Sequence, residues 1–451
     1  MKAPASEKPD EKVSVALRVI VWVLRIGVGA LFVMSGLVKA IDLWGTVFKF
    51  EEYLTAWAID VPQSLVVLGA MGLCSLEFLT GAMLALGCFR RVAVWTLLAM
   101  MAVMLPLTLY IWIADPVSDC GCFGDFWVIS NGATFFKNIL ITAALVLLVL
   151  WNRKTEGLYN PYSQWICGVA LMVFVTAVEL YGYNVQPLLD FRSFPVGTSL
   201  LPDENGSDDA GEDMVFVYEK DGVKKEFSVN STLPDSTWTF IERKTSGAND
   251  VEKSATELAV FDEEGDDITL DVISGSGLEM VVVVPQYSRA DIFYTSFTNE
   301  LNTMMNRMGG SLVELTDLDA DSIETLRDWA MADFPIYRAE STVLKELSRG
   351  IVSVVLLRDG RILWKRNMGS IDVEALVKSP SSEVALEMLA PGGKSMLIHW
   401  SEFLLHVLVV ILVIDKTASV VIKRRKDGKG ENKSVNLQDA NQSEKTIKKN
   451  R

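Results

Sequence analysis

Apolar positions in this chain fall into two arrangements. Residues 19–38, 64–87, 92–113, 134–151, 164–183 and 396–414 are nearly unbroken apolar runs. Each is close to the ~20 residues that cross the hydrocarbon core of a bilayer as a helix. Between the fifth and sixth runs the pattern becomes that of a water-soluble domain. There, residues 214–218 and 224–229 alternate, which predicts a hairpin about Asp221-Gly222, and residues 202–213 read as a solvated linker. From residue 280 the pattern predicts a buried strand over 280–284, a helix over 295–308, a strand over 311–315 and a helix over 319–331. A hairpin of 352–357 with 361–365 follows, turning through Arg358-Asp359-Gly360. Between the first two runs, Trp44, Val47, Phe48, Tyr53, Leu54 and Trp57 recur at helical spacing. They predict an amphipathic helix that caps the bundle or lies on the membrane surface. Pro106 is expected to kink the third span.

Charge sharpens this division. The chain carries a formal −15, yet residues 184–395 hold 38 Asp+Glu against 19 Lys+Arg, and residues 415–451 hold 11 Lys+Arg against 5 Asp+Glu. The acidity therefore belongs to one domain, whose surface would repel nucleic acid. Basic residues Lys8, Lys12 and Arg18, Arg90 and Arg91, Arg153 and Lys154, and Lys423-Arg424-Arg425-Lys426 all fall on one side of six spans. That side is expected to be cytoplasmic and to hold both termini, with 39–63, 115–133 and the acidic domain outside. The first span has no small-residue cleavage site and reads as a retained helix.

The β-α-β-α-β-β order after residue 280 resembles the thioredoxin fold, but its redox chemistry is missing. Gln286-Tyr287-Ser288-Arg289-Ala290-Asp291 stands where that fold carries CxxC, and Gly350-Ile351-Val352-Ser353 puts valine at the position of its cis-proline. Residues 184–395 contain no cysteine. The expected fold class is thus an α-helical integral membrane bundle of about six spans plus an α/β or α+β thioredoxin-like extracytoplasmic domain lacking CxxC. Its expected parts are an N-terminal segment 1–18, a four-helix membrane domain 19–152 and a fifth span 164–183. A β-rich segment 184–279, a thioredoxin-like domain 280–392, a sixth span 396–414 and a basic tail 415–451 complete it.

Of five cysteines, Cys74 and Cys167 lie inside spans and Cys88 at a span end, where cysteine acts as a small hydrophobe. Cys120 and Cys122 lie in an outer loop, Asp119-Cys120-Gly121-Cys122-Phe123-Gly124-Asp125. One residue apart, they can bridge only through a small strained ring, and strained exposed disulfides are oxidising and labile. A fixed disulfide, an inert turn and half of a zinc site are the alternatives; no further soft ligands stand nearby for the last.

The first four spans resemble the DoxX-like membrane family, and more closely its branch typified by the methylamine utilisation protein MauE. The matching residues are Arg25, Gly27, Gly29, Ser35-Gly36, Lys39, Glu77, Gly81, Gly87, Arg90 or Arg91, and above all Asp119-Cys120-Gly121-Cys122-Phe123-Gly124 between spans three and four. The resemblance covers roughly residues 15–152. It implies a role in maturing or assembling disulfide-containing partners outside the cytoplasm. The later parts resemble a longer architecture found in members from the Bacteroides group of bacteria. That implies a bacterial inner membrane and a periplasmic acidic domain.

Charges inside spans need a reason. Glu77, thirteen residues into span two, is a candidate proton-handling or partner-pairing group, while Lys39 and Lys137 at outer span ends are expected to snorkel as anchors. His399, Glu402 and His406 share one face of span six, where they can bind a metal or relay protons or simply pack, and His406 is expected at a depth where it can meet Glu77. Two readings of function follow. In one, Cys120 and Cys122 form a redox pair between a periplasmic or membrane protein partner and the membrane, with a quinone as candidate acceptor. In the other, the protein is a non-catalytic membrane scaffold whose thioredoxin-like domain binds a partner.

Overall fold

The computed structural model describes residues 15–117, 119–151, 157–201, 214–220, 223–228, 239–245, 258–273, 276–287 and 292–449, with side chains placed outside 214–245 and 423–449. Lys8, Lys12, Arg153, Lys154, the linker 202–213, the Asp221-Gly222 turn and Ser288–Asp291 lie outside the described residues. Two compact units emerge: residues 1–191 with 391–451, and residues 192–390.

The first unit is a helical bundle. Six of its helices are long and apolar enough to cross a membrane: α1 (Val15–Ile41), α3 (Gln63–Leu86), α4 (Arg90–Ala114), α5 (Asn131–Trp151), α6 (Pro161–Asn184) and the first 30 residues of α13 (Gly393–Lys449). The chain is a multi-pass membrane protein. Their exposed apolar side chains, such as Val19, Val23, Leu68 and Val103, are those that lipid would cover.

Without a hydrophobic drive between helices in lipid, close backbone approach through small residues decides which spans pair. Gly29 and Gly36 of α1 face Gly81 and Cys74 of α3 so closely that no Cβ fits. One added at Gly36 would lie 2.5 Å from the Phe78 backbone nitrogen, and one at Gly81 would lie 2.7 Å from that of Val33.

The expected amphipathic segment is α2 (Leu43–Ala56). Asp42 caps it by accepting from the Gly45 N–H at 3.0 Å. Leu43, Trp44, Val47 and Tyr53 are buried, so α2 caps the bundle. The Trp44 indole donates to the Tyr183 carbonyl at 3.1 Å and stacks on the Tyr183 ring. Pro106 lies within α4, which continues past it.

The sixth span docks on the start of α6. Tyr159 donates to the Leu408 carbonyl at 2.9 Å, Asp415 accepts from the Asn160 backbone and the Ser163 hydroxyl, and Asn160 bonds Ser419 at 2.7 Å. Where the sequence predicts a span ending at 414 and a separate tail, the helix runs on to Lys449. Asp415, just past the predicted end, is buried in the bundle, so the helix is held by packing beyond residue 414.

In the second unit, β1 (Met214–Lys220) pairs antiparallel with β2 (Val223–Ser228), as the alternation predicts, and on its other edge with β3 (Thr239–Thr245). A six-stranded mixed sheet has the order β4-β7-β6-β5-β8-β9. Its strands are β4 (Val260–Phe261), β5 (Leu278–Val284), β6 (Ser311–Thr316), β7 (Ile336–Ala339), β8 (Ser353–Arg358) and β9 (Arg361–Asn367). β5, β6 and β7 run parallel; β8 and β9 return antiparallel on the other side of β5. Short α7 (Thr269–Val272) follows β4, then α8 (Ile292–Arg307), α9 (Ala320–Ala330) and α10 (Ser341–Leu347) cross over between strands, and α11 (Val373–Lys378) and α12 (Ser382–Met388) close the unit.

The central valine run of β5 is buried on both faces, as a central strand requires. Met280, Val282 and Val284 enter one core with Trp364, and Val281 and Val283 enter the other with Leu344 and Val355. This is a thioredoxin-like topology. The sequence pattern omits β7 and α10, because four residues of half-buried Ile336-Tyr337-Arg338-Ala339 carry too little periodicity to register.

The α1–α3 contact generates a paired test. Gly81→Ala should cost roughly 1–3 kcal/mol, the usual penalty of overpacking. Gly27→Ala, where nothing lies within 4 Å of the added carbon, should not destabilise. Thermal unfolding of both variants in nanodiscs should lower the midpoint of the first alone.

Candidate functional site

The loop between α4 and α5 descends into the bundle instead of lying over it. Two positive-φ glycines make its turns, Gly121 at +65° and Gly124 at +52°. Gly121 has a second reason to lack a side chain: a Cβ there would lie 2.8 Å from the Lys49 side chain. The Asp119 carboxylate accepts from the Gly121 N–H at 2.6 Å and pairs with Lys49 at 3.2 Å, and the Tyr53 hydroxyl donates to the Cys120 carbonyl at 3.1 Å. Helix α2 thus fixes one end of the loop. Phe123, buried, anchors the other end, with the Lys137 ammonium 4.4 Å from the centre of its ring.

Between these anchors Cys120 and Cys122 face each other as thiols, their sulfurs 3.0 Å apart. The hydrogen bond they share holds the Cys122 thiol below its ordinary range, at about 6. Lys137 and Lys39 act in the same direction and burial opposes them. Cys120 is pushed up by the same shared bond and by burial. Of the two sulfurs, Cys122 is thus the one that more readily carries a thiolate, the form that thiol exchange uses.

Beneath the loop lies a buried ion pair. The Lys39 ammonium donates to both Glu77 carboxylate oxygens at 2.8 Å, and both residues are about 95% buried, at 5% and 3% relative exposure. Ser35 joins the pair to the loop: its hydroxyl oxygen is 2.6 Å from the Cys122 carbonyl and 2.8 Å from Glu77. The Lys39 ammonium also reaches the Ser35 hydroxyl oxygen at 3.3 Å, so the three side chains and the loop carbonyl form one connected cluster.

A cavity of about 430 Å³ opens beside the cysteines and reaches between α1, α3 and α4. Its wall is mostly apolar. Lys39, Glu77, Asn138, Lys137 and the two cysteines gather at its polar end.

The structure therefore joins Cys120, Cys122 and Glu77 in one site and corrects three expectations. Lys39 does not snorkel: a carboxylate on the facing helix lets its charge stay inside. Lys137 lies over Phe123 and lines the cavity instead of anchoring outward. His406 does not meet Glu77. His399, Glu402 and His406 are exposed, and each histidine bonds the carbonyl one turn back on its own helix, Ser395 and Glu402 respectively. Among the described residues no group of three such side chains is placed to hold a metal. Cys74, Cys88 and Cys167 are buried thiols, as packing residues would be.

Sequence reasoning passed over two further acids inside spans. Glu179 accepts from Ser75 at 2.9 Å, and Asp415 ties span six to α6. Each is a lone carboxylate in an apolar run, which was the available signal.

Comparison with known proteins gives two partial profile matches and a few distant structural likenesses. A family profile described as methylamine utilisation protein MauE matches residues 17–151, less than a third of the chain, and one described as a domain of unknown function matches residues 212–246. No curated protein matches. Among solved structures, a protein from Bacteroides thetaiotaomicron assigned as a disulfide isomerase is 17% identical over 31% of this chain and 89% of its own, with a TM-score of 0.24. A cysteine-to-serine variant of peroxiredoxin Q from Xanthomonas campestris is 17% identical over 30% of this chain and 90% of its own, with a TM-score of 0.21.

Removing one member of a buried ion pair strands the other, at a cost of about 3–5 kcal/mol, while apolar replacement of both is close to neutral. Glu77→Gln and Lys39→Met should each lower the unfolding midpoint strongly. The Lys39→Met, Glu77→Met double variant should recover most of the loss. A double-mutant cycle by thermal denaturation in nanodiscs checks this, and additive losses would show that the two charges are not coupled.

Proposed function

We propose that this protein is a MauE-like thiol–disulfide exchange protein of the bacterial inner membrane, which supports the maturation of a partner protein through Cys120 and Cys122. The observation that carries this reading is the thiol pair itself: two sulfurs 3.0 Å apart on a loop pinned by α2 and seated over the Lys39–Glu77 pair. An inert turn needs neither the facing sulfurs nor the lysines that favour a thiolate. The family profile covers this same segment. In the orientation that the basic residues favour, both termini are cytoplasmic, and the cysteine loop and residues 184–395 are periplasmic.

In the oxidised state the pair is a disulfide. A partner thiolate attacks Cys120 and expels Cys122, the sulfur of lower pKa and so the better leaving group. The partner's second thiol then attacks its own sulfur in the mixed disulfide and releases Cys120. The partner leaves with one disulfide, and Cys120 and Cys122 are left as two thiols. Residues 192–390 serve in this reading to recognise the partner without chemistry of their own.

A second reading makes the chain a non-catalytic scaffold. It is favoured by one feature, a thioredoxin-like sheet within a cysteine-free stretch, residues 184–395.

Single variants separate the two. Cys122→Ser should accumulate a reductant-sensitive mixed disulfide through Cys120, seen on non-reducing gels and mapped by mass spectrometry. Cys120→Ser should trap less, and the double variant none. Identical patterns in all three, with function intact, would favour the scaffold.

A further inference from the structure

We propose that the cavity beside Cys120 and Cys122 binds the head group of a membrane quinone, which takes the electron pair from the reduced cysteines. This rests on the thiol-exchange reading, which leaves the pair reduced after each partner and so requires an acceptor.

The cavity defines the chemistry of that acceptor. At about 430 Å³ it has the size of a small-molecule site, and its walls include Leu31, Leu73, Met100, Met104 and Leu107 from three spans. Such walls take an apolar body that arrives from the bilayer. The polar end presents the Lys39 ammonium, the Glu77 carboxylate, the Asn138 amide and the Cys122 sulfur. The occupant therefore carries oxygen acceptors on an apolar frame and accepts two electrons. A lipid chain meets the first requirement and fails the last. A nucleotide cofactor would bring phosphates into a mostly hydrocarbon wall. A quinone meets all of them.

The step balances within the site. Two S–H bonds break at Cys120 and Cys122 and one S–S bond forms between them. The two electrons pass to the quinone ring, and the two protons end on its two oxygens, giving the hydroquinone. Lys39 lies where it can stabilise negative charge developing on one oxygen. Glu77, joined through Ser35 to the cysteine loop, is the group placed to hold a proton between its release by a thiol and its arrival on oxygen. With the partner step, the net reaction is partner dithiol plus quinone to partner disulfide plus hydroquinone.

The test uses the full chain in nanodiscs, reduced with dithiothreitol and desalted, with decylubiquinone and a short-tailed menaquinone as probes. One or both quinones should be reduced stoichiometrically as the pair becomes a disulfide. Met104→Trp, which fills the cavity from α4, should slow that reaction roughly tenfold or more. Diamide should oxidise the pair equally fast in both proteins, which shows that the variant is folded and its thiols competent. An azidoquinone should photolabel peptides of α1, α3 or α4 in the wild type and not in Met104→Trp. If diamide oxidises the pair while neither quinone does, or if Met104→Trp changes neither rate nor labelling, the quinone proposal falls and thiol exchange stands. If the pair reacts with neither diamide nor dithiothreitol, the thiol-exchange reading itself falls.

Discussion

The Lys39–Glu77 ion pair is the constraint on which the membrane unit is organised. Two opposite charges about 95% buried, at 5% and 3% relative exposure, are tolerable only if they meet, and they meet only if α1 and α3 stand side by side in one register. The glycine contacts between those helices allow the approach, and the ion pair selects the register. Ser35 then carries the constraint outward, because its hydroxyl links Glu77 to the Cys122 carbonyl. The depth of the cysteine loop, its descent into the bundle and the position of the cavity follow from this one contact. Helix α2 completes the enclosure by holding Asp119 and Cys120 through Lys49 and Tyr53.

This arrangement reconciles the two demands that the proposed thiol exchange and its proposed quinone acceptor would place on a membrane thiol pair. The sulfurs must meet a water-soluble partner, which places them at an outer loop. They must also hand electrons to something in the bilayer, which requires a route inward. A loop tied down to an ion pair, with an apolar cavity beside it, meets both at once. The thiolate is favoured by the neighbouring thiol and by the lysines, and the protons have Glu77 and Ser35 as near neighbours.

Much of this was legible in the sequence, for identifiable reasons. Bilayer thickness forces long apolar runs, so the six spans could be read directly, and aromatic residues at helical spacing disclosed α2. Cys120 and Cys122 stood out because two cysteines flanking a glycine in a loop between spans have few structural uses. The valine run of β5 and the strand–turn–strand of β8 and β9 gave the thioredoxin-like sheet. What remained hidden depends on contacts between distant segments. Lys39 reads as an anchor until Glu77, 38 positions away, is seen facing it. The cavity exists only where three spans and a loop diverge, and no local pattern reports a void. Glu179 and Asp415 pair with residues on other helices, and β7 is too short for its alternation to count. His399, Glu402 and His406 misled for the converse reason: their spacing does place them on one face, but that face turns away from the bundle.

The most direct test of the account is the redox state of Cys120 and Cys122 in living cells, read by sequential alkylation and mass spectrometry before and after a brief pulse of dithiothreitol. The account predicts a pair that is mostly disulfide at rest, becomes dithiol during the pulse and reoxidises once the reductant is withdrawn. A pair that stays in one state throughout would contradict it and leave the cysteine-free thioredoxin-like unit as the working part of the protein.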